Sequence, residues 1–111
     1  MAALPNHSGA VIDDRKITDY LLSGTHPTGR AKAAFFTSFG FRAEVPDELK
    51  VALLVHAAGN DVVEAQVTSY GTKYAIDGPL ESPDGRNPKV RVVWFVDAGT
   101  DQPRLVTAFP G

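Results

Sequence analysis

The chain has 111 residues, of which 43% are hydrophobic and 22% charged, with a formal net charge of −2 and no cysteine. Thiol catalysis, disulfide scaffolding and thiolate metal ligation are thereby excluded together. The length suits a single domain, residues 1–111, able to bury about 60 to 65% of its unfolded surface, and the mild acidity means that any nucleic-acid binding must rest on a local cluster of cations.

Residues 1–9 read as a tail. Met1-Ala2-Ala3-Leu4-Pro5 lacks the basic and apolar regions of a signal peptide, and the longest apolar run, residues 51–55, is far short of the ~20 residues that cross a bilayer. A cytoplasmic protein with no membrane partner is expected. Ala10-Val11-Ile12 forms a short edge strand, and Asp13 or Asp14 caps a first helix over residues 15–22, where Ile17, Tyr20 and Leu21 share one face. The loop at residues 23–29 then delivers the chain to a second helix, residues 30–39, with Phe35, Phe36 and Phe39 on its buried edge and Gly40 at its end.

Pro46-Asp47-Glu48 opens a third helix that Gly59 closes. It is apolar nearly all round, so a central position is expected. From Asp61 the period changes to 2, giving four β-rich runs at residues 62–69, 73–78, 89–97 and 104–109. Their connections are too short for a parallel crossover, so consecutive strands pair antiparallel. The expectation is an α+β fold: a helical half at 13–59, about three helices, packed on one face of a four-stranded antiparallel meander at 61–110. On the third run Val90, Val92, Trp94 and Val96 point one way, and Arg91, Val93 and Phe95 the other. That second face is more apolar than solvent requires and suits a groove or a partner surface.

Gly24-Thr25-His26-Pro27-Thr28-Gly29 spaces its glycines like a phosphate loop but lacks the Lys and Ser/Thr of that motif and follows a helix, so nucleotide hydrolysis is rejected. What remains is a helix start with Arg30 and Lys32 in its first turn beside His26, a candidate anion site whose bland counterpart is turn chemistry and solvated surface. His26 is the best general acid or base. His7 lies in the tail, and His56 is read as a packing or surface histidine; the three show no metal-ligand spacing, so neither metal nor cofactor is expected. Arg91, amid strand valines, must reach water or an anion, and Arg91 and Thr107 would complete a phosphate site if they face the second helix's start.

The residues also carry a family resemblance, covering about residues 4–110. Lys16-Ile17-Thr18-Asp19-Tyr20-Leu21-Leu22, His26-Pro27-Thr28-Gly29-Arg30-Ala31-Lys32, Tyr70-Gly71-Thr72-Lys73-Tyr74, Val90-Arg91-Val92-Val93-Trp94 and the ending Arg104-Leu105-Val106-Thr107-Ala108-Phe109-Pro110 resemble a bacterial domain family of unknown function. Such domains occur alone and as C-terminal polymorphic-toxin domains, and their layout is similar to the barnase/EndoU/colicin/RelE-like ribonuclease superfamily. The resemblance implies a metal-independent endoribonuclease-like toxin domain that cleaves RNA by 2′-hydroxyl attack on the phosphodiester, controlled by a cognate antitoxin or immunity protein. On that reading His26 transfers the proton, Lys32 and Arg91 hold the phosphate, and Arg30, Tyr74, Arg104 and Thr107 bind substrate. Two further readings stand beside it: a non-enzymatic protein-interaction module docking through the Val93/Phe95 face, and a small-anion sensor at the second helix's start.

Overall fold

A computed structural model describes residues 3–23 and 30–111. In chain order it comprises α1 (Asp14–Lys16), running directly into a π-helical stretch (Ile17–Leu21), then α2 (Arg30–Ser38), α3 (Pro46–Gly59), and strands β1 (Val62–Thr68), β2 (Gly71–Pro79), β3 (Lys89–Asp97) and β4 (Arg104–Pro110). The strands form one antiparallel sheet in the order β1-β2-β3-β4, the expected α+β meander. Among the described residues no helix is long and apolar enough to cross a membrane.

Alternation along β3 divides the sheet. Val90, Val92 and Trp94 are fully buried beneath the helices, opposite Gly78, Ile76 and Tyr74 of β2. Ile17 and Leu21 from the π-helical stretch, Phe36 of α2, Phe41, and Leu49 and Leu53 of α3 complete the core, each 0% exposed. Burying such side chains contributes about 1.5–3 kcal/mol apiece, so the apolar contact between the layers outweighs any single polar interaction in the molecule.

Local chemistry sets the element ends. Asp13 caps α1 by accepting a hydrogen bond from the Arg15 amide at 2.9 Å. Gly40, at φ 101°, takes the left-handed conformation that ends α2. Gly71 is required for a different reason: a Cβ there would collide with the Val96 carbonyl and the Phe95 ring across the hairpin. The β2–β3 connection is organised by Asp84, which binds Arg86 at 2.6 Å and Ser82 at 2.7 Å. Arg86 then donates to the Ser38 carbonyl at 2.6 Å and lies 4.4 Å from the Phe39 ring, tying the turn to the α2 C-terminus, where a cation is favoured.

Three expectations need correction. Residues 3–9 are not a tail: Leu4 is 1% exposed in the core, Ala3 bridges Asp61, and His7–Gly9 form a 3-10 turn. α3 is not central: Leu49, Ala52, Leu53, His56 and Ala57 are buried as a single stripe, whereas Val51 and Val55 are 58% and 44% exposed. The spacing i, i+3, i+4, i+7, i+8 is that of a one-sided helix, and the extra valines lie outside it. Residues 10–12 do not make a strand either; Val11 forms one parallel bridge to Arg104, covering only the start of the β4 edge.

Candidate functional site

The structure describes the residues singled out from sequence only in part. His26 lies outside the described residues, and Arg30 is described only as the opening position of α2. Arg91 does emerge on the open face of the sheet, but its Nε and Nη2 donate to the two carboxylate oxygens of Asp77 at 2.8 and 2.9 Å, and Nη1 stands 3.6 Å from Glu64. Strand register causes this, since Arg91 and Asp77 are cross-strand partners in β3 and β2. The hydrogen bonds from Arg91 and its charge outweigh burial and hold the Asp77 carboxyl below the ordinary carboxylate range. Arg104 is likewise engaged, donating to both Asp97 oxygens at 2.8 and 3.2 Å with its guanidinium 5.1 Å from the Phe95 ring. Tyr74 sits opposite Trp94 and packs against the core.

Lys32 and Thr107 meet around Tyr20. That tyrosine rides on the π-helical stretch, whose wide turn is closed by the Leu22 amide donating to the Ile17 carbonyl at 2.8 Å. Such turns recur at functional sites because they re-aim side chains while their neighbours stay anchored. Here Ile17 and Leu21 hold the backbone in the core, and Tyr20 remains half-buried at its margin. The Lys16 Nζ lies 5.5 Å and the Lys32 Nζ 5.2 Å from the centre of its ring, both within cation–π range. Its hydroxyl is 3.3 Å from Thr107 Oγ1 on β4. Helix, helix and edge strand thus share one phenol.

The electrostatics are consistent with that geometry. Burial pushes the Tyr20 pKa up, but hydrogen bonding from Lys32 and Thr107 and the charges of Lys32 and Lys16 outweigh it, so the phenol lies below its ordinary value. Beside it opens a cleft of about 380 Å³ lined by Asp13, Arg15, Lys16, Asp19 and Tyr20. Two cations there face two carboxylates, of which Asp13 is engaged with Arg15. Lys32, also over the ring, tips the local balance positive.

Of the two readings of His56, packing and surface, the structure shows packing. His56 is 2% exposed, with Nε2 3.2 Å from the Gly78 carbonyl, the arrangement of a neutral imidazole donating from Nε2. Burial lowers its pKa despite the opposing hydrogen bonds to backbone.

Tyr20 was missed because the helical period placed it on the core face with Ile17 and Leu21. One local signal was available: Lys16 precedes it by four residues, the spacing that stacks two side chains on a helix surface. The contribution of Lys32 depends on tertiary packing.

A chain of the contact-dependent growth inhibition toxin–immunity protein complex from Klebsiella pneumoniae 342 is similar in fold, with a TM-score of 0.64 and 15% sequence identity, covering 92% of this chain and 100% of that one. No curated protein matches the sequence. A family model described as a domain of unknown function, DUF6883, matches residues 3–111, essentially the whole length. The chain therefore belongs to the DUF6883 family.

Proposed function

We propose that this chain is a toxin-type endoribonuclease domain, held in check by an immunity protein, that grips an RNA phosphodiester at the Tyr20 cluster. The observation that carries the proposal is the convergence of Lys16 and Lys32 on one phenol that is itself hydrogen-bonded to Thr107. The toxin–immunity complex that shares the fold supports the biological setting, and the sequence resemblance supports the chemistry.

Cleavage needs a phosphate held by cations, a proton acceptor for the ribose 2′-hydroxyl and a proton donor for the leaving oxygen. Lys16 and Lys32 take the first task, and the Tyr20 hydroxyl hydrogen-bonds the ribose–phosphate. His26 removes the 2′-hydroxyl proton. The O2′–P bond forms as P–O5′ breaks, and the proton is returned to O5′, leaving a 2′,3′-cyclic phosphate and a 5′-hydroxyl. Arg91, matched by Asp77 and Glu64, is reassigned from phosphate binding to holding the sheet.

The alternative reading, a protein-interaction module, draws on half-buried Val93 and Phe95 between these charged pairs on the open face. Incubating the purified chain with total tRNA and analysing the product ends separates the two. Cyclic-phosphate ends are expected from wild type, with His26→Ala and Lys32→Ala each slowing cleavage by at least ~10²-fold while leaving the circular dichroism spectrum unchanged. Expression in bacteria should arrest growth, relieved by the product of the neighbouring gene. An intact wild-type chain that leaves tRNA whole, or variants that cleave normally, would refute the ribonuclease assignment.

A further inference from the structure

A second groove in the described structure shares no lining residue with the Tyr20 cleft. It occupies about 490 Å³ between α3 and the start of the β2–β3 connection. Its floor is Phe41, fully buried, and its wall carries the two valines of α3 that the core leaves out, Val51 and Val55, with Pro83 facing them. Around this apolar surface stand three carboxylates, Asp47, Glu48 and Glu81.

Like Asp19, Glu44, Asp61 and Asp101 elsewhere, the three groove carboxylates stand outside the ion pairs of the described residues, but these three gather around one apolar surface. Asp13, Asp14, Glu64, Asp77, Asp84 and Asp97 are each paired with a cation, whereas among the described residues none of Asp47, Glu48 and Glu81 forms an ion pair. The nearest α3 cation, Lys50, is turned to Asp14 at 2.7 Å. The α3 dipole favours Asp47 and Glu48 at its first turn, but it gives no such support to Glu81. The groove is also elongated. Asp47, Val51 and Val55 follow one another at i, i+4, i+8 along the helix, a run of about 12 Å at 1.5 Å per residue. That length matches two turns of a docked helix, and the combination of apolar floor and negative rim selects what such a helix must carry.

We propose that this groove docks a segment of a partner protein about two helical turns long, with apolar residues on one face and Lys or Arg beside them. The apolar face covers Val51, Val55 and Pro83, and the cations reach Asp47, Glu48 and Glu81. A segment bound there leaves the Tyr20 cleft open, so this surface is independent of the ribonuclease reading.

The test uses the full ¹⁵N-labelled chain and two 14-residue amphipathic peptides of the same pattern, one of Leu and Lys and one of Leu and Glu. The Leu/Lys peptide is expected to shift amide resonances of residues 47–55 and 81–83, and the Leu/Glu peptide is not. Val51→Ser/Val55→Ser and Asp47→Asn/Glu48→Gln/Glu81→Gln should each weaken binding at least about tenfold. All five positions are exposed, and unchanged thermal unfolding confirms that the fold is intact. The inference is overturned if the Leu/Lys peptide does not bind or shifts resonances elsewhere, if the Leu/Glu peptide binds equally well, or if both variants bind like wild type. Shifts of the same amides by a short single-stranded RNA would also overturn it, since the carboxylate rim should repel phosphate.

Discussion

Lys32→Ala is the sharpest perturbation of the proposed site, because it acts on two measurable quantities from one atom. The Lys32 ammonium lies 5.2 Å from the Tyr20 ring centre and favours the ionised phenol by hydrogen bonding and by charge. Its removal leaves burial, the Thr107 hydroxyl and the Lys16 charge in place, so the Tyr20 pKa should rise. Ultraviolet difference titration of the phenolate band follows this directly, with Tyr70 and Tyr74 as the other two tyrosines in the chain. Tyr20→Phe identifies which titration belongs to Tyr20. The same variant should bind single-stranded RNA with a shallower salt dependence. Each lost phosphate contact changes the slope of log K against log salt by ~0.7, so a fourfold rise in salt should weaken the variant about 2.6-fold less than wild type. Fluorescence anisotropy at 50 and 200 mM salt measures that difference. An unchanged Tyr20 titration would refute the cluster's electrostatics, and an unchanged salt slope would refute its phosphate contact.

Arg91→Ala should lower the thermal unfolding midpoint while leaving RNA cleavage at the wild-type rate, the reverse of the Lys32→Ala pattern; loss of cleavage without loss of stability would return Arg91 to the active site. The Asp77 carboxyl is held low in the folded chain, so an unfolded chain takes up its proton first as acid is added. Its stabilising contribution is complete above the ordinary carboxylate pKa and fades as pH falls through the lowered folded value, and denaturant midpoints for wild type and Asp77→Asn should approach each other over that range. His56 acts in the same direction at higher pH: burial lowers its folded pKa, so the unfolded chain binds a proton near pH 6.5 that the folded chain refuses. Urea stability should therefore decline below that pH with a slope of at most about 1.4 kcal/mol per pH unit from this group, and His56→Gln, which keeps a donor for the Gly78 carbonyl, should remove that component.

The β half was legible in the sequence because its determinants are local. Period-2 runs separated by Tyr70-Gly71-Thr72, by Ser82-Pro83-Asp84-Gly85-Arg86-Asn87 and by Ala98-Gly99-Thr100-Asp101-Gln102-Pro103 predict four strands, and the four observed strands begin and end within two residues of those runs. Which side of α3 faces the core was not legible, because Leu49, Leu53 and Leu54 are chemically close to Val51 and Val55. Only contact with the sheet separates the buried stripe from the groove wall.

The expected site failed in part for a related reason. An arginine flanked by valines was read as available for an anion, and alternation correctly sent it to the open face. Availability depends, however, on the residue across the hairpin. With β2 ending at Pro79 and β3 beginning at Lys89, register sets Asp77 directly opposite Arg91 and leaves Glu64 within reach on β1. The guanidinium is then satisfied inside the fold, and a phosphate would have to displace a two-point carboxylate contact to use it. Lys16 and Lys32 form no ion pair among the described residues; what they share is a phenol, a neutral group with a negative face. A cation resting on an aromatic ring keeps its charge uncancelled, and a phosphodiester approaching Tyr20 meets two such charges without first breaking a salt bridge. That difference in prior engagement moves the proposed chemistry from the middle of the sheet to the edge where Tyr20, Lys32 and Thr107 meet.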